Sequence, residues 1–468
     1  MTGDESKLPM GRRWPRVLAI VLMGMLGIFQ YARLAQPVNR THRLMWDFSI
    51  VYSASRAMIL GKDPFQLKNL YSVWEAEPHW KILAPGDRSA LGIWVSVNSP
   101  PTLVMVAPLA AMGSAAAHGV WIASDVVLLV LMIVALWQLA GLSSASDRLL
   151  LVTGMLASEP VVTILRNGQL GFPACAGVVL GIWAVVRKRP ILAGVILGLA
   201  TAVKFQVAGP FILFYLLVRR WRVAMVALGV FAAVCLVAIA LLEMHHVPWL
   251  SEWRTNVAQS LGRGTVNDPR PGGPGRDTEI NLQPALYGLT NNDLTVMTAT
   301  GICCGLLSMA FLVGVWRSGG RVNDLLALSC VVLLSCLPAY RRTYDLTLLA
   351  MLLAWAIAAL GTPRRRWPII VTLVLLAEFM VPTDIILEHL PKLVTRFGQT
   401  SWWQTIVVPR HAWTVLLLAA WTTGLFVALA KRAGQDPDDR GRQSVWWSSG
   451  PRAAPSPANV QRDGLTSA

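Results

Sequence analysis

Long apolar runs recur along this chain from Val17 to Ala430, punctuated by short basic clusters: Arg12-Arg13, Arg187-Lys188-Arg189, Arg219-Arg220, Arg364-Arg365-Arg366 and Lys431-Arg432. That alternation limits the fold more than any motif does. A hydrocarbon core about 30 Å thick is crossed by a helix of about 20 residues, and backbone groups inside it must be hydrogen-bonded within the protein. Composition agrees, with 54% hydrophobic and 14% charged residues where a soluble globular chain carries about 25% charged. The net charge of +16 sits in the clusters that flank apolar runs, the arrangement that marks cytoplasmic loops. The charge therefore reports sidedness, and nucleic-acid binding is a poor reading of it.

With the basic clusters placed inside, the chain reads as an all-α integral membrane protein of about 12 spans, multi-pass in a bacterial-type plasma (inner) membrane. The expected organisation is a cytoplasmic N-terminus over 1–16, a multispanning domain over 17–430 with external loops at 36–99 and 244–293, and a polar, disordered cytoplasmic tail over 431–468. The run from Val17 to Leu34 lacks a small-residue cleavage site, so it reads as an uncleaved first span. Residues 48–60 show helical spacing of Phe48, Val51, Tyr52, Ser55 and Ile59, which suits a helix lying flat on the outer interface. Ser99 to Gly113 is short and interrupted by Pro108. Reading it as a re-entrant or juxtamembrane helix keeps every later basic cluster inside. Spans then follow at about 118–139, 148–165, 172–186, 223–243, 294–316, 322–339, 344–361, 368–388 and 411–430. Pro190 to Val218 carries cytoplasmic signals at both ends, so it must climb and return as two short helices with Lys204-Phe205-Gln206 at the apex. The stretch from Asn267 to Asp277 is rich in Gly, Pro and Asp and reads as flexible. Cys175, Cys235, Cys303, Cys304, Cys330 and Cys336 lie in apolar segments without metal-ligand spacing and read as small buried hydrophobes.

This parity brings five polar groups to the external side: Asp47; Arg166 with Gln169; Lys204 with Gln206; His245 with His246; and Tyr340, Arg341, Arg342, Tyr344 and Asp345. Ionisable groups at membrane depth cost about 2.5–3.5 kcal/mol each on insertion scales, so they persist mainly where a cavity or a function uses them. Arg341 and Arg342 fall outside against the sidedness rule. One acid among several cations suits a phosphate-bearing substrate with an apolar tail. Each residue also has a plainer reading. Asp47 could cap a helix starting at Phe48, Lys204 could snorkel to the interface, and Arg341 and Arg342 could pair with Asp345 or lipid headgroups. Gln169 could close a helix-breaking Asn-Gly turn, His245 and His246 could be interfacial polar tips, and Asp63 before Pro64 could start a turn. Trp74, Trp80, Trp94, Trp249, Trp253, Trp402 and Trp403 crowd the external loops as belt anchors, with one of them available to stack on a sugar.

The order of motifs carries a resemblance. Asp47-Phe48, Tyr52 and Gly61-Lys62-Asp63-Pro64 come first. Pro100-Pro101 with Pro108-Leu109, Asn167-Gly168-Gln169, and Ala193-Gly194 with Leu197 to Ala202 and Lys204 follow. Asn281-Leu282-Gln283-Pro284 and Tyr340-Arg341-Arg342-Tyr344 close the set. The set resembles glycosyltransferase family 87, over roughly residues 40–360, and its specificity lies in the order rather than in any single motif. Two departures, Asn98-Ser99 before the proline pair and Leu282-Gln283 after Asn281, bear on the sugar or the acceptor. The resemblance implies a GT-C type fold and inverting transfer of a hexose, typically mannose, from a polyprenyl-phosphate donor to a lipid or glycan acceptor at the outer leaflet. It needs no cofactor or metal. Asp47 matches the family's catalytic acid in position and would be the general base. Such a reaction needs a base for the acceptor hydroxyl and positive charge for the departing phosphate. Lys204 and Arg341 or Arg342 would supply the charge, and Tyr52, Gln169, Gln206, His245, Tyr340 and Tyr344 would contact substrate.

Two other classes remain. A flippase for polyprenyl lipids would share an apolar groove and cations without needing Asp47. A secondary transporter would use mid-span acids and internal repeats; Asp125 and Glu378 are such acids, Glu159 lies near a span end, and no repeat is visible. The absence of metal-ligand spacing predicts that sugar transfer by isolated membranes persists in excess EDTA. Loss of transfer that a divalent ion restores would refute this.

Overall fold

The computed structural model describes residues 10–34, 45–77, 79, 95–318, 325–360, 366–381, 396–398 and 400–435; Trp80, Trp94, Arg364, Arg365 and the tail from 436 lie outside them. Among the described residues the chain is helical, with one isolated antiparallel bridge between Glu279 and Arg342. The helices run α1 (Met10–Leu34), α2 (Trp46–Ile59), α3 (Leu67–Ala76), α4 (Pro100–Ala110), α5 (Ser114–Leu139) and α6 (Ala145–Leu156). They continue as α7 (Glu159–Asn167), α8 (Gly171–Val186), α9 (Pro190–Val203), α10 (Phe205–Leu217), α11 (Trp221–Met244) and α12 (Trp249–Ser260). The last are α13 (Leu282–Tyr287), α14 (Asp293–Arg317), α15 (Leu325–Cys336), α16 (Ala350–Ala359), α17 (Arg366–Ala377) and α18 (Arg410–Gln435), with a 3-10 turn over Thr343–Leu349 leading into α16.

Among the described residues, five helical segments are long and apolar enough to cross a membrane: Pro15–Ala32 in α1, all of α5, α11 and α14, and Arg410–Lys431 in α18. The count rises to six if α6 and α7, bent by 53° at Ala157-Ser158, form one broken span. Their outer faces expose Leu22, Ile28, Val126, Leu236 and Leu306, apolar surface that suits lipid. The protein is therefore a multi-pass membrane protein. Length alone gives fewer than 12 crossings, because α4, α8, α9, α10, α15 and the Thr343–Ala359 stretch are apolar but short. At about 1.5 Å per residue, the 11 residues of α4 cover only about half of the hydrocarbon core.

The two short helices expected over 190–218 are present as α9 and α10, separated at Lys204, which is extended at φ −151° and ψ 91°. α9 packs closely on α11 because Gly194 and Gly198 face it, a small-xxx-small stripe that lets two backbones approach. A Cβ on Gly198 would meet the Ala227 carbonyl oxygen at 2.6 Å and Val230 Cβ at 2.7 Å.

Several expectations are corrected. α2 does not lie on a surface. Phe48 to Ser55 are buried throughout, because α3 and α4 cover the helix and Phe48 stacks on Trp121 at 4.6 Å. The 267–277 stretch is packed rather than free: Asn267, Asp268 and Arg276 are buried, and Asp268 accepts from the backbone of Gly264 and Arg270. Its turn-forming residues fold it onto its own polar groups. Cys175, Cys330 and Cys336 are buried as expected, whereas Cys235, Cys303 and Cys304 are partly exposed. Trp74 and Trp403 are buried rather than interfacial, Trp402 is exposed, and Trp249 and Trp253 donate to Glu243 and to the Val97 carbonyl.

Gly198→Leu should force α9 and α11 apart and lower the melting temperature of the detergent-solubilised protein, at a cost of about 1–3 kcal/mol for overpacking. An unchanged melting temperature would show that the helices can separate freely here.

Candidate active site

Met45 adopts the left-handed conformation (φ 58°) and its backbone N–H donates to the Arg166 carbonyl at 2.8 Å. α2 therefore starts against the end of α7. There Gly168 (φ 62°) caps α7 and lies so close that a Cβ would meet Met45 Sδ at 2.5 Å and Phe48 Cβ at 2.9 Å. Glycine supplies both the left-handed turn and the room. The Asn167-Gly168-Gln169 turn thus presents Gln169, whose amide donates to Asp47 Oδ2. The cap position of α2 is Met45 and Asp47 lies in the first turn, so the capping reading of Asp47 fails and its carboxylate faces Gln169. The half-buried Asp47 carboxyl is pushed above its usual range by burial. The Gln169 hydrogen bond and the charges of Arg342, Lys204 and Arg166 pull the other way.

Lys204 sits at the α9–α10 break. Its Nζ donates to Asp345 Oδ1 at 2.5 Å and lies 4.7 Å from the centre of the Tyr344 ring. Gly171 at the start of α8 leaves the space that both groups occupy. Carbonyls freed by the break at Ala202 and Val203 accept from Thr102 Oγ1 at 3.3 and 3.1 Å, which explains why the Pro100-Pro101-Thr102 start of α4 docks here. Asp345 also meets Arg341 Nη1 at 3.8 Å. Arg341 donates through Nη2 to the Gln206 carbonyl, and that backbone oxygen is the Gln206 group engaged; its side chain is exposed. The plainer reading of Arg341, a partner for Asp345, is thus observed, and Lys204 shares that partner.

Arg342 is held differently. Its guanidinium donates to Tyr340 Oη at 2.5 Å, Thr278 Oγ1 at 3.2 Å, and the Val266 carbonyl and Asn267 Oδ1 at 2.8 Å each. Tyr340 in turn donates to Asn267 Oδ1 at 2.7 Å. The 276–282 strip runs antiparallel beside 337–342, with Ile280 N–H on the Arg341 carbonyl and Leu282 N–H on the Leu337 carbonyl, both at 3.0 Å. These neutral partners fix the arginine while its charge is felt at Asp47.

Asp47, Arg166, Gln169, Lys204, Arg341, Arg342, Tyr344 and Asp345 therefore share one neighbourhood. Tyr52 does not join them: it donates to Glu77 Oε1 at 3.2 Å and to the Met112 carbonyl at 2.8 Å, tying α2 to α3 and α4. His245 lies against Gly61 beyond the far end of α2, about 20 Å from Asp47 at 1.5 Å per residue. Asp63 makes the expected turn, accepting from Phe65 N–H at 2.9 Å. Of the mid-span acids, Asp125 is buried and Glu378 pairs with Arg410 at 2.6 Å. Sequence reasoning passed over Glu279, two residues before the Asn281 motif, and Arg276, buried with bonds to the Pro269 and Pro284 carbonyls and to Gln404. A charged residue on each side of a turn-rich stretch was the available signal.

A family model described as glycosyltransferase family 87 matches residues 97–339. The match takes in the proline pair, the Asn-Gly-Gln turn, Lys204 and Glu279 and ends just before Tyr340; Asp47 precedes it. No curated protein and no solved structure matches the chain.

Asp345→Asn leaves Lys204 and Arg341 without their shared carboxylate, and breaking such a buried pair costs about 3–5 kcal/mol. Thermal unfolding should show a clear loss of stability, and an unchanged midpoint would mean that both cations find other partners.

Proposed function

The chain belongs to glycosyltransferase family 87, and on that premise we propose that it moves a hexose, mannose on this reading, from a polyprenyl-phosphate donor to an acceptor hydroxyl on the extracytoplasmic side, with inversion at the anomeric carbon. In this reading the short apolar helices complete about 12 crossings of a GT-C type fold. The acceptor oxygen attacks the anomeric carbon from the face opposite the phosphate and gives up its proton to Asp47. The bond to the phosphate oxygen breaks and the lipid phosphate leaves with the electron pair. A carboxyl whose burial raises its proton affinity is a stronger base once ionised, and Gln169 aims it.

The charge that develops on the phosphate falls to Arg342, Lys204 and Arg341, with Tyr344 beside Lys204. Fixed cations need little reorganisation as the bond breaks. The resting pairs of Lys204 and Arg341 with Asp345 mark where an anion is already accommodated, and a donor phosphate would compete for the same cations. The observation that carries the reading is the meeting of Asp47, Gln169 and Arg342, from three distant stretches of the chain, at one point.

The flippase and transporter readings do not require Asp47. In proteoliposomes fed radiolabelled polyprenyl-phosphate mannose, Asp47→Asn should retain donor binding and lower turnover by about 10²–10⁴, the usual worth of a general base. Wild-type turnover should fall as pH drops through the raised Asp47 value, above the ordinary Asp range near ~4, because the protonated carboxyl cannot accept a proton. Full turnover by Asp47→Asn would sink the assignment.

A further inference from the structure

Beside the Arg342 network lies a half-open cavity of about 350 Å³, bounded by the loop before α13, the first turns of α14 and the 338–340 segment; Asp47 does not line it. Glu279 is one of its lining residues, is 0% exposed, and neither carboxyl oxygen has a hydrogen-bond partner. Buried polar atoms in folded proteins are nearly always bonded, and leaving one unmade costs about 1–3 kcal/mol. An orphan carboxyl beside an open cavity marks a place where a ligand group would be held.

The rest of the wall narrows the ligand's chemistry. Arg270 is the cation present, and its guanidinium is already spent on Asp268 at 3.2 Å and Asp293 at 3.0 Å. A phosphate or nucleotide would therefore meet offset positive charge together with a buried acid. Burial pushes Glu279 up to about 8, against the nearby charges of Arg342 and Arg276, so at neutral pH the group is mostly a neutral acid that both donates and accepts. Asn267 and Gln283 add amides, while Met297 and the rings of Tyr287 and Tyr340 supply apolar surface. Neutral donors and acceptors set between apolar faces suit a polyhydroxylated ring. The volume lies at the low end of ligand pockets, about 300–1,000 Å³, which suits a sugar ring rather than a lipid chain. Tyr340 and Asn267 belong both to this wall and to the hydrogen bonds of Arg342, the guanidinium whose charge reaches Asp47.

We propose that this cavity is the acceptor subsite, that it takes the sugar ring of a glycoside acceptor, and that Glu279 determines specificity by bonding one of the ring's hydroxyls. The assignment rests on the transferase reading above and narrows its acceptor to a carbohydrate.

The test is saturation-transfer NMR on the full chain in lipid nanodiscs, with methyl α-mannoside, methyl α-glucoside and methyl α-galactoside as probes. At least one glycoside should show transfer to its ring protons in the wild type. Glu279→Gln, which keeps a donor and an acceptor, should stay within about threefold of wild-type affinity, and Glu279→Leu should weaken binding by about tenfold or more, as loss of a buried hydrogen bond does. Ala339→Trp, which fills the cavity with the carboxyl in place, should also abolish the signal. All three variants should bind polyprenyl-phosphate mannose as the wild type does, an outcome that general misfolding would not produce. No signal from any of the three glycosides, or an undiminished signal in the Leu and Trp variants, overturns the proposal. Glycoside binding without any transfer from the polyprenyl-phosphate donor would instead sink the transferase reading and leave a sugar site.

Discussion

Lys204 stands where a helix breaks inside an apolar wall, and its ammonium is held by the Asp345 carboxylate at 2.5 Å. Both the break and the charge need compensation among packed apolar helices. Thr102 answers the break by donating to the carbonyls of Ala202 and Val203, which brings the start of α4 to this point. Asp345 answers the charge and also takes Arg341, which fixes the 3-10 turn before α16. Gly171 at the start of α8 has hydrogen instead of a side chain, so Nζ and Oδ1 can meet there. Four segments far apart in sequence are thus held together by one interruption in one helix pair.

The same pair gives the site a resting charge state. A carboxylate already lies between Lys204 and Arg341, so both cations are oriented and partly neutralised. Such a site resists adventitious anions, because a ligand must offer better geometry than Asp345 to displace it. Arg342 differs in kind. Its hydrogen bonds go to a tyrosine, a threonine, an amide and a backbone carbonyl, which orient the guanidinium without cancelling its charge.

Much of this arrangement is written in the sequence. The basic clusters at 187–189 and 219–220 point to two short helices between them, and α9 and α10 do meet at Lys204. The acids and cations on the expected external side also gather, because an ionisable group at membrane depth has few other places to go. The failures share a physical cause. Helical spacing shows which residues of 48–59 lie on one face but not what covers the other faces, so α2 reads as a surface helix until α3 and α4 are in place. Tyr52 shares α2 with Asp47 but turns its hydroxyl to Glu77 and Met112, and His245 lies beyond the far end of that helix, since motif order does not say which way a side chain points. The 267–277 loop reads as flexible because its glycines and prolines signal turns; its stability comes from hydrogen bonds to Arg342 and Tyr340, more than sixty residues away, which local composition cannot encode. Glu279 leaves no motif at all, being an isolated acid whose character depends on burial.

Two neighbourhoods meet at Arg342, one around Asp47 and one around Glu279. Around Asp47 the charges of Arg342, Lys204 and Arg166 are all felt, and Lys204 is paired with Asp345. Around Glu279 the lining cation Arg270 is bound to two aspartates, and burial raises the acid against the charges of Arg342 and Arg276. In the transfer proposed above, the donor would take the first neighbourhood and the acceptor the second. Arg342, reaching Asp47 by its field and Tyr340 and Asn267 by its hydrogen bonds, joins the two, so any ligand group held in one neighbourhood is felt through it in the other.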